Sequence, residues 1–170
     1  MKPVKIKLLI LLILPLLNCL AIQNKYINKI EYFPQSNKLD VDINLTDGAE
    51  LNLAILKKDQ DHMFKFNFLY EGQNLIIGKR LVILIDGVEK ELLVLDKSTR
   101  YHGYARSGRI TERMSLKADK DLFSLIYNSH SLQLKLIGDN GVLYFELEES
   151  GRELLGNFKL ESAKLFNLTY

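Results

Sequence analysis

Residues 62–71 read HMFKFNFLYE, and they decide the fold. Phe64, Phe66, Phe68 and Tyr70 alternate with Lys65, Asn67 and Glu71. In an extended chain successive side chains point to opposite faces, so four aromatic rings share one face and the polar groups share the other. A helix with its period of 3.6 residues would scatter the same rings around its circumference. Aromatic side chains also pack well on a pleated surface. The stretch therefore predicts a strand with one buried face.

The same period of two continues on either side. In LDVDINL (39–45), Leu39, Val41, Ile43 and Leu45 oppose Asp40, Asp42 and Asn44. Asp47-Gly48 supplies a turn into LNLAIL, where Leu51, Leu53 and Ile55 share a face. RLVILIDG (80–87) is apolar for five residues in succession, as a central strand is, and Asp86-Gly87 turns it into VEKELLVLD. RITERMSLK (109–117) reads as a further strand, and LQLKLIGDNGVLYFELE (132–148) as a hairpin. Two segments have a helical period. DKDLFSLIYNS (119–129) places Leu122, Leu125 and Ile126 together with Asp119 or Asp121 as cap, and SGRELLGNF (150–158) offers a capping box from Ser150 to Glu153 with Leu154, Leu155 and Phe158 inward. The expected fold is α+β and mainly β: an antiparallel β-sandwich-like arrangement of sheets with two short helices, one domain over residues 39–170.

Length and composition agree with one domain. The chain has 170 residues, 47% hydrophobic and 26% charged, enough apolar side chain for a normal core. The formal charge of +2 depends on Lys2, Lys5 and Lys7 near the N-terminus. Without those three of its 23 basic residues, the chain has its 21 acids in slight excess. A near-neutral domain exerts no general attraction on nucleic acid, and no nucleic-acid partner is expected.

The basic start leads into Leu8–Leu17, an uninterrupted apolar run apart from Pro15. A membrane span needs about 20 apolar residues, whereas a signal peptide needs about 7–15 after a positive start. The run ends at Leu16-Leu17-Asn18-Cys19, and Cys19 is the one cysteine in the chain.

This ending resembles the lipobox of bacterial lipoproteins. Leu16 matches the leucine three residues before the modified cysteine, and Cys19 matches the cysteine. Leu17 is unusual, and Asn18 replaces the customary glycine or alanine, a relaxed form similar to that of spirochaete lipoproteins. The resemblance covers residues 1–19 only. It implies cleavage between Asn18 and Cys19, acyl chains such as palmitate on Cys19, and attachment to the cell envelope by that lipid. Leu20 and Ala21 lack the aspartate of inner-membrane retention, so the outer membrane is the expected site. On this reading residues 1–18 are the signal peptide and residues 19–38 an acylated cysteine with its tether. The exported domain then holds no thiol, as suits an oxidising compartment.

Residues that bear chemistry are sparse. DVDINLTDGAEL places acids like a calcium loop, but position 6 is Leu45 rather than glycine and position 12 is Leu51 rather than glutamate. The wet face of a strand explains those acids. His62, His102 and His130 lack metal-ligand spacing, and no nucleophile elbow or phosphate loop is present. No metal or cofactor is expected.

One segment stands apart. STRYHGYARSGRITER (98–113) carries Arg100, Tyr101, Tyr104, Arg106, Arg109 and Arg113. It reads either as an ordinary solvated hairpin loop or as a binding segment that Gly103 and Gly108 hold out from the sheet, since arginine with tyrosine is the composition of a binding surface. The expected partner is a protein or an anionic glycan. The expected function is a non-catalytic binding or structural domain anchored in the envelope. The alternative is an envelope enzyme or small-ligand carrier whose pocket is assembled from distant residues.

Overall fold

Ten strands and two helices make up the protein in a computed structural model, which describes residues 28–73, 76–102 and 108–170. The strands are β1 (Lys29–Phe33), β2 (Lys38–Asn44), β3 (Ala49–Lys58), β4 (Asp61–Gly72), β5 (Gly78–Ile85), β6 (Val88–Leu92), β7 (Val94–His102), β8 (Arg109–Lys117), β9 (Leu132–Gly138) and β10 (Gly141–Glu146). The helices are α1 (Lys120–Asn128) and α2 (Glu149–Phe166).

The strands form two antiparallel sheets. The large sheet has the order β1-β2-β3-β4-β8-β7, and the small sheet has the order β10-β9-β5-β6. The fold is thus mainly β and sandwich-like. The alternation read from the sequence sets the buried face. Val41, Ile43, Leu51, Leu53, Ile55 and Phe66 have no exposed surface, and all belong to one face of the large sheet. Small-sheet side chains cover part of that face. Phe145 of β10 lies 5.4 Å from Phe68 and 5.3 Å from Tyr70, measured between ring centres.

The helices cover the rest. In α1, Phe123 meets Phe64 edge-on at 5.0 Å. The Asp119 side chain caps that helix by accepting from the Leu122 amide at 2.8 Å, as expected. The buried residues of α1 are Leu122, Phe123 and Ile126, whereas Leu125 faces solvent. In α2, Gly151 brings the helix against Ile43 and Leu147: a Cβ there would stand 2.7 Å from side-chain carbons of both.

Asp86 ties the β5–β6 turn to the α1–β9 connection. Its carboxylate accepts from the amides of His130 and Ser131 at 2.8 and 2.7 Å, and these bonds hold its pKa below the ordinary carboxylate value. Asp86 and Gly87 both have positive φ, 50° and 81°, which is the two-residue hairpin geometry that Asp-Gly favours.

Four expectations need correction. The tether drawn over residues 19–38 includes strand β1, which pairs with β2 from Lys29↔Asp42 to Phe33↔Lys38. Ile30 and Tyr32 face inward and Lys29 and Glu31 outward, but Phe33 stands on the outward side and only Ile30 is half-buried, as an edge strand allows, so no clean alternation announces it. The second helix is 18 residues long rather than short, and Glu148 rather than Ser150 is its N-cap, with no side-chain cap bond. VEKELLVLD is two strands, not one. It leaves the small sheet after Leu92 and enters the large sheet at Val94, with the Leu93 carbonyl accepting from the Lys117 amide at 2.8 Å. The Arg/Tyr segment is mostly hairpin, with β7 extending to His102 and β8 starting at Arg109.

Candidate functional site

The outer face of the large sheet carries the polar half of each alternating strand. Register places these residues in rows across the sheet. One row runs Lys29, Asp42, Asn52, Asn67, Ser115 and Asp96, one residue from each strand. The next row runs Asn44, Glu50, Leu69, Arg113 and Ser98. Neighbouring strands lie about 4.8 Å apart, so side chains within a row touch.

The centre of the first row is a continuous hydrogen-bond chain. Ser115 Oγ donates to Asn67 Oδ1 at 2.8 Å, Asn67 Nδ2 to Asn52 Oδ1 at 3.0 Å, and Asn52 Nδ2 to Asp42 Oδ1 at 2.7 Å. Each amide is thereby fixed in orientation, because reversing one would set donor against donor. The chain forms the floor of a cavity of about 500 Å³ that also takes in Glu50, Asp96, Ser98 and Arg113.

Electrostatics in this cleft favour neither sign outright. Asp42, Glu50 and Asp96 face a single Arg113. Burial raises the pKa of Glu50 above the ordinary value, the charges of Asp42 and Glu71 raise it further, and Arg113 and Lys29 oppose them. Among the described residues Arg113 makes no side-chain hydrogen bond, and its charge acts on Glu50 across the cleft.

Of the Arg/Tyr residues singled out in the sequence, Arg113 alone lines the cleft; Asp42, weighed there as a calcium ligand, lines it as well. Arg100 pairs with Thr111 and is a diagonal neighbour of Arg113 on the same face. Arg109 is exposed and pairs with His102 at the end of the hairpin. Tyr101, opposite Ile110, belongs to the other face and is 62% exposed. Tyr104 and Arg106 lie outside the described residues, as do Asn18 and Cys19. The described residues 98–102 and 109–113 are therefore strands of the sheet rather than a loop held off it. These strands continue because Ile110 supplies a buried residue in step with Met114 and Leu116.

The histidines stay apart. His130 is exposed with its Nδ1 3.9 Å from Asp86, His102 ends β7, and the half-buried His62 ring stands 6.1 Å from Phe166. Among the described residues no three His, Cys, Asp or Glu side chains are grouped to hold a metal. Asp40 and Asp42, the acids of the calcium-like stretch, lie on β2, where Asp40 pairs with Lys38. Among the described residues no helix is long and apolar enough to cross a membrane.

Asn52, Asn67 and Ser115 were not singled out in the sequence, and Asp42 was weighed only as a calcium ligand. Each was visible as a wet-face residue, but only the register between strands lines them up. Compared with known proteins, the chain matches no protein family, no curated protein and no solved structure.

Proposed function

We propose that this protein is a lipid-anchored protein of the bacterial cell envelope, held by acyl chains on Cys19, whose domain binds a partner through the outer face of the large sheet without catalysing a reaction. The anchor rests on Leu16 to Cys19 placed directly after the apolar run. The binding role rests on one observation: a cleft of about 500 Å³ with an oriented polar floor and an exposed Arg113 at its side. That volume is within the usual range for small-ligand sites, about 300–1,000 Å³. Two or three acyl chains give stable anchoring where one alone is marginal.

Mass spectrometry of the native protein tests the anchor. The mature chain should begin at Cys19 and carry an acyl mass there. A mature protein that retains Met1, or a Cys19→Ala variant that stays fully membrane-bound, overturns it. A pull-down from envelope extract tests the binding face, with Arg113→Ala beside the unmodified chain. Identical recoveries would place binding elsewhere.

A second reading has one observation in its favour. Glu50, with its raised pKa, stands diagonally across from Asp42 in the same cleft. Two carboxyl groups flanking one cleft are the pairing that glycoside hydrolysis uses. Release of reducing ends from neutral oligosaccharides, abolished in Glu50→Gln, would establish this reading in place of simple binding.

A further inference from the structure

We infer that the cleft takes an uncharged polyhydroxylated ligand, a neutral oligosaccharide, rather than the anionic glycan that the arginines alone suggest. The inference rests on the reading of this cleft as the binding face.

Three features of the cleft select that chemistry. The first is charge. Asp42, Glu50 and Asp96 outnumber Arg113, so a sulfated or carboxylated sugar would meet three carboxylates for each guanidinium. Burial is the main cause of the raised Glu50 pKa, and the charges of Asp42 and Glu71 add to it, so the cleft disfavours a further negative charge. The arginines able to attract an anion are spread along the hairpin, and Arg100 and Arg109 are absent from the cavity wall.

The second is the mixture of hydrogen-bonding groups. Each sugar hydroxyl is both donor and acceptor, and it is best met by a surface offering both at close spacing. The row offers this. The amide–hydroxyl chain uses one N–H of Asn67 for Asn52 and leaves its other N–H unused. Asp42 Oδ1 accepts from Asn52, and the second carboxylate oxygen remains for a ligand. Arg113, Glu50 and Ser98 add forked donors, an acceptor and a hydroxyl on the adjacent row. Because the amides are locked by one another, they need no reorientation when a ligand arrives, which lowers the ordering cost of binding.

The third is Leu69. It lies between Glu50 and Arg113 in the second row, half-buried beside the polar row of Asn52, Asn67 and Ser115. A sugar ring has an apolar C–H face beside its hydroxyl rim, and Leu69 offers the matching contact between two hydrogen-bonding side chains. A metal ion or a small inorganic anion would have no use for it.

The experiment is a glycan array carrying neutral, sulfated and carboxylated oligosaccharides, probed with the full chain purified in detergent. Binding to neutral members over anionic ones is expected. Arg113→Ala, an exposed position that leaves the core intact, should weaken that binding about tenfold, since hydrogen bonds from charged donors contribute about 1.5–3 kcal/mol. Leu69→Asp should abolish it. Equal or stronger binding to anionic members, no binding to any member, or the same affinity in both variants overturns the inference. The pull-down described above separates the two levels. If Arg113→Ala changes the recovered partners while the array stays blank, the cleft is a binding face for something other than a neutral sugar.

Discussion

Thr99 Oγ1 on β7 donates to Glu112 Oε2 on β8 at 2.8 Å, and this is the hydrogen bond that holds a carboxyl group with no exposed surface. Glu112 shares the inward face of β8 with Ile110, Met114 and Leu116, opposite Tyr70 of β4. Its Oε1 is enclosed without a hydrogen-bond partner. Burial raises its pKa above the ordinary glutamate value, against the opposing pull of the Thr99 hydroxyl, the Gly78 amide and Lys97.

A pH dependence follows from that shift. Below the unfolded pKa, about 4.3, both folded and unfolded chains carry the proton, and the group has no effect. As pH rises from there through the raised folded value, the unfolded chain gives up its proton first. Stability then falls with increasing pH, because the folded state binds more protons. Glu112→Gln keeps an acceptor for Thr99 and removes the charge. It is expected to be more stable than the natural chain at pH 7, on the order of 1 kcal/mol, and to lose that advantage by pH 4. Urea titrations at the two pH values measure this. A Gln variant that is less stable at pH 7 would mean that the ionised carboxylate is stabilised where it lies.

Two glycines of α2 should respond in opposite directions to alanine. Gly156 is exposed, and a Cβ there meets nothing within 4 Å. Gly156→Ala should stabilise by about 0.5–1 kcal/mol, through helix propensity alone. Gly151 is buried with Ile43 and Leu147 at 2.7 Å from the same added carbon. Overpacking of that kind costs about 1–3 kcal/mol and outweighs the propensity gain. A lower thermal midpoint for Gly151→Ala and a higher one for Gly156→Ala is the expected pair.

These glycines also mark how far the sequence could be read. The alternating segments carried their own evidence: Phe64 to Tyr70 turned inward as the period required, and Asp119 caps α1 where a capping residue stood before an apolar period. Gly156 made α2 look short, yet packing of Leu155, Phe158, Ser162 and Phe166 carries the helix past it. Strand β1 and the change of sheet at Leu93 were hidden for different reasons. β1 pairs with its neighbour β2, but its exposed edge position and the outward Phe33 blur its period, whereas the change of sheet is fixed by Lys117, whose place beside Leu93 no local pattern records. The site had the same fate. Asn52 and Asn67 were each plain wet-face residues, and only the β3–β4 register Asn52↔Asn67 joins them. Glu112 was legible in principle, since the parity of Ile110, Met114 and Leu116 places it inward.

Phe66 tests the core. It has no exposed surface and stands on β4 between Leu53 of β3 and Leu116 of β8. Truncation to alanine leaves a cavity that strands hydrogen-bonded on both sides cannot collapse. Phe66→Ala should cost about 3–5 kcal/mol in a denaturant titration. A loss under about 1 kcal/mol would mean that the large sheet has its faces reversed.

Asn67 tests whether the outer row exists to stabilise the sheet or to present a surface. Its side chain accepts from Ser115 and donates to Asn52, so Asn67→Ala breaks both bonds together. The site is half-exposed, and water can replace what is lost. Each such bond contributes only about 0.5–1.5 kcal/mol net, and solvent access places the pair near the lower end. The expected loss of stability is therefore about 1 kcal/mol, far below that of Phe66→Ala. Binding should suffer more, because Asn52 and Ser115 lose the neighbour that fixes their orientation. A large loss of stability with unchanged partner recovery would make the row a structural brace. A small loss of stability with partner recovery abolished would mark it as the floor of the binding site.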